Sequence, residues 1–349
     1  MYKVSIIIPI YNAQKYLEKC IKSAVNQTLK EIEVICINNG SSDIEQNILK
    51  EYSRKSPKIK IINFEINQGY GKAVNEGIKS AQGEYISILE SDDFVDSNMM
   101  EFLYNKAKEN DVDIIKSAYI AFNEYSEKLY LNDLDIDENK VFKINEYPEF
   151  FSKHPSIWTC LYKRSFLISN DICFIEAEDT GWVDNHFSVK SLLMAKKIQY
   201  VKDAFYHYRV DQQDSSSTLR EGLVLPYKAS LQVHNFLNEK GIENKGIYTN
   251  LAIREWAYIK DIINKCPYSE ISCAQDVIKN LFDLIGDSLN DNKKFMKFKK
   301  KIYKKSIYYL LLKRDIKSFI KKRFYIKIRY SSLTRYLLCS RLLVGRGRK

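Results

Sequence analysis

Residues 3–10 (KVSIIIPI), 32–37 (IEVICI) and 84–89 (EYISIL) are nearly continuous apolar runs, each followed at once by a polar cluster. A strand with one wet face would alternate apolar and polar residues. Continuous runs mark strands covered on both faces, as in a mostly parallel sheet between helices. The segments between them carry a helical period. Residues 14–28 place Tyr16, Leu17, Cys20, Ile21, Ala24 and Val25 on one stripe. Residues 44–54, 67–80, 97–109 and 179–195 read as further helices. Residues 58–64, 112–116 and 198–201 read as further strands, the last leading into 204–209. The repeated β-α order predicts an α/β fold with a mostly parallel central sheet. Residues 117–150 read as an acidic, polar excursion, and the chain beyond about 220 as largely helical.

Ligands of such sheets bind beyond the carboxyl ends of the strands. Three polar clusters fall there, at residues 9–12, 38–43 and 90–93. In the last, Glu90, Asp92 and Asp93 crowd together after a buried strand. Crowded carboxylates repel unless a cation neutralises them, and oxygen ligands suit Mg²⁺ or Mn²⁺ with a substrate's phosphates. The same aspartates would also cap a following helix, so this run alone supports both readings. Asn38-Asn39-Gly40 offers amides to a base or ribose, and equally forms an ordinary Asn-Gly turn. Residues 67–72 (NQGYGK) bring glycines where a nucleotide could approach. Val74 stands at the third glycine position of a dinucleotide fingerprint, and no phosphate-binding GxxxxGK[ST] loop is present, which argues against a dehydrogenase and an ordinary ATPase. Asp179 opens an expected helix, where it serves as a cap or as a proton acceptor. His207 is a candidate metal ligand or a structural histidine. Arg209 offers a guanidinium fork for a diphosphate.

Taken together, these segments resemble the bacterial family 2 glycosyltransferases that build capsular, exopolysaccharide and lipopolysaccharide chains. The resemblance rests on residues 4–43 (VSIIIPIYNAQKYLEKCIKSAVNQTLKEIEVICINNGSSD), 67–93 (NQGYGKAVNEGIKSAQGEYISILESDD), 157–167 (IWTCLYKRSFL), the pair Glu178-Asp179, and 205–218 (FYHYRVDQQDSSST). It covers about 220 residues. It implies a GT-A fold and inverting transfer from a nucleotide-diphosphate sugar, most often a UDP-sugar, with Mn²⁺ or Mg²⁺. Pro9, Tyr11 and Asn12 match the nucleoside-binding first turn. Asn39 matches a base-contacting aspartate, and Asn67, Gly69 and Lys72 fall in the adjoining donor-side segment. Glu90-Ser91-Asp92 matches the D-x-D signature, with Asp92 the metal and diphosphate contact, and Asp93 is the neighbouring acid. The resemblance assigns the base role to Asp179, the diphosphate contact to Arg209, and a weaker metal contact to His207. Four departures stand out. Asn38 and Asn39 replace two aspartates, Glu90 replaces the first aspartate of the signature, and Val74 replaces an arginine.

Charge divides the chain. Residues 297–349 hold 19 Lys or Arg and one acidic residue, whereas the rest holds 36 basic and 43 acidic residues. The tail 299–349 alternates basic residues with large apolar ones, too few in a row to span a bilayer. It fits an anionic membrane surface best. Packing against the protein or a homodimer contact comes second, and nucleic acid last, because no reading module accompanies it. The expected layout is a catalytic domain at 1–220, a helical extension at 221–298 and the tail at 299–349. The N-terminal run reads as a strand rather than a signal peptide. Seven cysteines without a CxxC pair fit a reducing, cytoplasmic setting, with peripheral attachment to the inner face of the membrane. The expected acceptor is a saccharide or lipid-linked oligosaccharide. Two rival functions remain at this level: a nucleotide-sugar-binding scaffold with impaired turnover, and a nucleic-acid-binding protein driven by the tail.

Overall fold

A computed structural model of the chain describes residues 1–130, 136–176, 182–211, 224–265 and 271–288. Glu178, Asp179 and the tail 299–349 lie outside the described residues. The N-terminal half alternates strand and helix as the apolar pattern requires. It runs β1 (Val4–Ile10), α1 (Leu17–Val25), β2 (Ile32–Asn39), α2 (Asp43–Lys55), β3 (Ile59–Phe64), α3 (Tyr70–Ser80) and β4 (Tyr85–Ile88). After β4 come β5 (Phe94–Val95), α4 (Met99–Asn110), β6 (Ile114–Phe122), β7 (Glu127–Tyr130), β8 (Val141–Phe142), β9 (Cys160–Lys163) and α5 (Arg164–Ser169). The remaining elements are α6 (Val183–Met194), β10 (Ile198–Arg209), α7 (Leu225–Glu239), α8 (Lys245–Lys265) and α9 (Ile271–Ser288).

Among the described residues the strands form one ten-stranded sheet, with main order β3-β2-β1-β4-β9-β6-β10-β5. Strands β3, β2, β1 and β4 are parallel, and every residue of β1 and β2 is buried. Their registers pair Ile10 with Asn38 and Ile7 with Ile88, so the three strands end at one edge. That edge carries the three polar clusters. The expectation of a mostly parallel sheet holds for this half. Strand β9 departs from it, running antiparallel between β4 and β6. Strand β10 is one continuous element across the expected break at 202–203. Register shifts near Val201 and Ala204 bend it, and its last residues pair with β5 beside the 90–93 turn.

Side chains fix the loops at the ligand edge. Glu45 is buried in the first turn of α2. One of its carboxylate oxygens accepts from the Ser42 N–H, the reciprocal arm of a capping box, and the other from the Ala13 N–H. It therefore joins the turn after β1 to the start of α2. Gly40 has φ +71°, and a Cβ there would lie 2.5 Å from the Asn67 nitrogen, so only glycine lets this turn meet the next one.

The main apolar core runs from Val4 to Leu251. Helix α7 and the first part of α8 thus complete the same core as the sheet. A second small core, including Ala252, Ile259, Ile278 and Phe282, lies between α8 and α9. Residue 220 accordingly does not divide two separate cores.

One contact gives a direct stability test. A Cβ at Gly71 would lie 2.2 Å from the Ile175 carbonyl oxygen. Gly71→Ala should therefore lower the unfolding free energy by about 1–3 kcal/mol through overpacking. Urea unfolding of the full chain measures this, and an unchanged midpoint would show that the contact yields freely.

Candidate active site

Beyond β4 the Leu89 N–H still bonds the Ile7 carbonyl, and the chain then turns through Glu90, Ser91, Asp92 and Asp93. The turn is held by Tyr206 of β10. The Tyr206 hydroxyl donates to Asp93 Oδ2 at 2.8 Å and accepts from the Glu90 N–H at 3.1 Å. Asp93 Oδ1 accepts from the Arg209 N–H at 2.7 Å. Asp93 is only 1% exposed, and both its oxygens are engaged in joining the turn to β10. Glu90 Oε1 accepts from the Tyr70 hydroxyl at 2.5 Å.

Three carboxyls in so small a space are hard to ionise together. Burial, with Asp92 and Asp184 nearby, pushes Glu90 up to about 8 despite the Tyr70 bond. Burial also raises Asp93, and the Asp92 charge adds to it. Asp92 is raised by burial and drawn back by Arg209. Among the described residues no side chain donates a hydrogen bond to the Asp92 carboxylate, in contrast to Glu90 and Asp93.

Arg209 is half-buried and locked. Its guanidinium carbon sits 4.0 Å from the Tyr16 ring centre and 4.5 Å from that of Phe122. Its Nε donates to the Asp92 carbonyl at 3.3 Å, and Nη1 pairs with Asp211 at 3.2 Å. Aromatic faces attract the cation and restrict its rotamers. Lys19 places a second cation over Phe94, 3.3 Å from the ring centre.

A neighbouring knot lies at the end of β2. Asn39 Nδ2 donates to Asn67 Oδ1 at 2.9 Å and to the Gly69 carbonyl at 3.2 Å, while Asn39 Oδ1 accepts from the Gln68 N–H at 2.8 Å. Gly69, at φ +83°, leads directly into α3. Asn39 is 4% exposed, so its amide first serves to hold this loop, leaving one Oδ1 lone pair for anything else. Pro9 is buried in β1, Tyr11 is exposed, and Asn12 adopts φ +53°.

The fold therefore brings Glu90, Ser91, Asp92, Asp93 and Arg209 together, with Asn39, Asn67 and Gly69 at the adjacent strand end. Other expected residues have different partners. Lys72 pairs with Glu176 at 3.1 Å. His207 bonds Asp96 through Nε2 at 2.9 Å and stacks on Phe94 with ring centres 4.2 Å apart. Of the expected metal ligands, Asp93 has both oxygens engaged, His207 has Nε2 engaged with Nδ1 buried and unpartnered, and Asp92 is the open carboxylate. Among the described residues no group of three His, Cys, Asp or Glu is arranged to hold a metal ion. Val74 is fully buried in the core.

Sequence reading missed three contributors: Tyr70, Tyr206 and Asp184. Asp184 is the second residue of α6, and burial raises its carboxyl, opposed first by Arg254 and then by hydrogen bonds from Asn185 and the backbone. Its charge helps to raise Glu90, Tyr70 and Tyr208, so it lies within electrostatic reach of the 90–93 turn. A signal was present in the sequence. Helical spacing puts Asp184 above Phe187, Ser188 and Ser191, on the stripe that faces inward.

Residues 5–168 match the family model for glycosyl transferase family 2. The chain is 32% identical over 249 residues to the putative glycosyltransferase EpsH of Bacillus subtilis, covering 68% of this chain and 71% of EpsH. It is 30% identical to the uncharacterized glycosyltransferase EpsJ of the same organism, covering 66% of each chain. The crystal structure of S. aureus TarS 1–349 in complex with UDP-GlcNAc is similar in fold, with a TM-score of 0.71 at 19% identity over 93% of both chains. None of the described helices is long and apolar enough to cross a membrane. On the family match, the EpsH identity and the shared fold, this chain belongs to glycosyl transferase family 2 and is a glycosyltransferase of the GT-A type.

Proposed function

We propose that the enzyme transfers a sugar with inversion from a UDP-sugar to a hydroxyl of a saccharide or lipid-linked acceptor in surface-polysaccharide synthesis. The observation that carries this is the meeting of an open carboxylate, Asp92 in the turn after β4, with a rigid cation, Arg209 at the end of β10, within electrostatic reach of the partly buried carboxyl of Asp184, whose charge raises Glu90. A nucleotide-diphosphate sugar needs all three. Its phosphates need positive charge, its leaving group needs stabilisation, and its acceptor needs a base.

The residues fit a divalent metal of the Mg²⁺ or Mn²⁺ class. Asp92 would hold it, and the remaining ligands would come from the donor's diphosphate and water, as is usual for Mg²⁺. When bound, the ion offsets charge on the leaving diphosphate. The chain's own residues do the rest. Arg209, fixed between Tyr16 and Phe122, meets the diphosphate without first having to be ordered. Asp184 accepts the proton as the acceptor oxygen attacks the anomeric carbon from the face opposite the leaving group. A single displacement of that kind inverts the configuration and needs no covalent sugar-enzyme intermediate. Asp179 is the second candidate for the base. Asp184 is preferred because it lies within electrostatic reach of the site and its raised pKa improves it as a proton acceptor. The basic tail 299–349 is read as a contact with anionic lipid, which would bring the enzyme to lipid-linked acceptors. Loss of liposome binding on removal of the tail supports that reading, and unchanged binding favours packing or dimer contact.

Asp184→Asn should lower kcat by roughly 10²–10⁴-fold with donor binding nearly unchanged. Asp179→Asn assayed in parallel should leave most turnover; loss confined to Asp179→Asn would reassign the base. The donor comes from a screen of UDP-Glc, UDP-Gal, UDP-GlcNAc, UDP-GalNAc and UDP-GlcA, with GDP- and dTDP-sugar controls.

Asp92→Asn should weaken Mn²⁺-dependent UDP binding in calorimetry. Equal affinity with and without metal in the parent enzyme would remove the metal from this scheme. The pH dependence has a defined sign. The base works ionised, and burial holds the Asp184 pKa above the ordinary 3.8. Turnover should therefore fall as pH drops through that raised value, at higher pH than an exposed aspartate would give. A kcat profile flat down to pH 4 would contradict it.

A further inference from the structure

Helix α8 lies beyond the residues matched by the family model, yet it carries a polar cluster aimed at Asp184. Arg254 and Tyr258, one turn apart on the same helix face, both reach Asn185 of α6. Arg254 Nη1 donates to Asn185 Oδ1 at 3.3 Å, and the Tyr258 hydroxyl donates to the same oxygen at 2.6 Å. With its oxygen so held, the Asn185 amide turns its Nδ2 toward Asp184 Oδ1, at 3.3 Å, and toward the Trp182 carbonyl. Trp182 packs edge-on against the Tyr258 ring, with centres 4.5 Å apart. The second arm of Arg254 donates to the Phe150 carbonyl at 3.3 Å.

Arg254 is 5% exposed. Its Nη atoms donate to two neutral oxygens and its Nε has no partner among the described residues, and a buried charge without an anion nearby is costly. The Asp184 carboxyl feels that charge from beyond salt-bridge distance. Arg254 is the strongest influence that opposes the effect of burial on Asp184. The other titratable groups that sense Asp184 are Glu90 after β4, Tyr70 of α3, Tyr162 of β9, Tyr208 of β10 and Tyr258 itself. Every one of these is acidic. Arg254 is the cation that acts on Asp184, and the buried Lys116 of β6 and His154 sense it in turn.

We propose that Arg254 and Tyr258 are positioning residues for Asp184, acting through the shared Asn185 amide, so that helix α8 is a working part of the active site. This rests on the reading of Asp184 as the base. Arg254 keeps the carboxylate ionised, and Tyr258 fixes the amide that orients it.

The test is a ¹³C-carboxyl titration of aspartate-labelled full-length enzyme, with the Asp184 signal assigned from Asp184→Asn. Arg254→Met and Tyr258→Phe should each move the Asp184 titration to higher pH. With the donor selected in the screen, both should lower kcat by roughly 10- to 100-fold with little change in donor KM. Arg254→Lys, which keeps charge but not the fork, should restore most of the titration shift and little of the rate. If Arg254→Met does not fold by circular dichroism, Tyr258→Phe and Arg254→Lys decide the matter. An unmoved Asp184 titration, or an unmoved kcat in Tyr258→Phe, overturns the proposal. Full turnover by Asp184→Asn is a separate result, because it removes the base reading itself.

Discussion

The Tyr206 hydroxyl is the contact on which the rest of the site depends. It gives its proton to Asp93 and receives the Glu90 N–H, so one oxygen spans the turn after β4 and the end of β10. Asp93 then takes the Arg209 N–H as well. This bridge joins the β5–β10 pairing and the bond from Arg209 Nε to the Asp92 carbonyl in fixing the 90–93 turn against the end of β10. A buried carboxylate is expensive, and its cost is met here because each oxygen receives a donor. The acid beside the signature therefore acts as a brace. This leaves Asp92 as the carboxylate free to meet a ligand.

Charge in this site is arranged by who is engaged. Glu90 is bonded to Tyr70 and held toward its neutral form, and Asp93 is bonded twice. Arg209 lies between two rings, and Arg254 stands behind Asp184. Arg209 is also tied to Asp211 and to the Asp92 carbonyl, so the site is already braced among its own charges. Lys72 and His207 are engaged too, through Glu176 and Asp96.

The fold was legible where physics is local. Strands β1 and β2 announce themselves because both faces are apolar, and α1 because its buried Leu17, Cys20, Ile21 and Ala24 repeat at helical spacing. The direction of β9 was not legible, since a short apolar run carries no sign of which way it enters a sheet. Nor was the two-residue β5, whose register against β10 comes from partners more than a hundred residues away. The carboxylate cluster was visible as composition. Its division of labour was not, because Tyr206 and Tyr70 meet it only in three dimensions. Asp184 stands out less in the sequence than the acidic run at 176–179, of which Glu178 and Asp179 lie outside the described residues.

The single core that joins the sheet to α7 and the first part of α8 has a consequence for how such enzymes diversify. Acceptor preference is often imagined as a cassette exchanged behind a constant donor-binding half. Here the rear helices finish the hydrophobic interior of the front half. A swap at residue 220 would leave apolar surface facing foreign side chains. New specificities in this lineage would then have to arise by side-chain replacement on helices that stay in place, since even the second small core between α8 and α9 takes Val224 and Tyr227 from the start of α7.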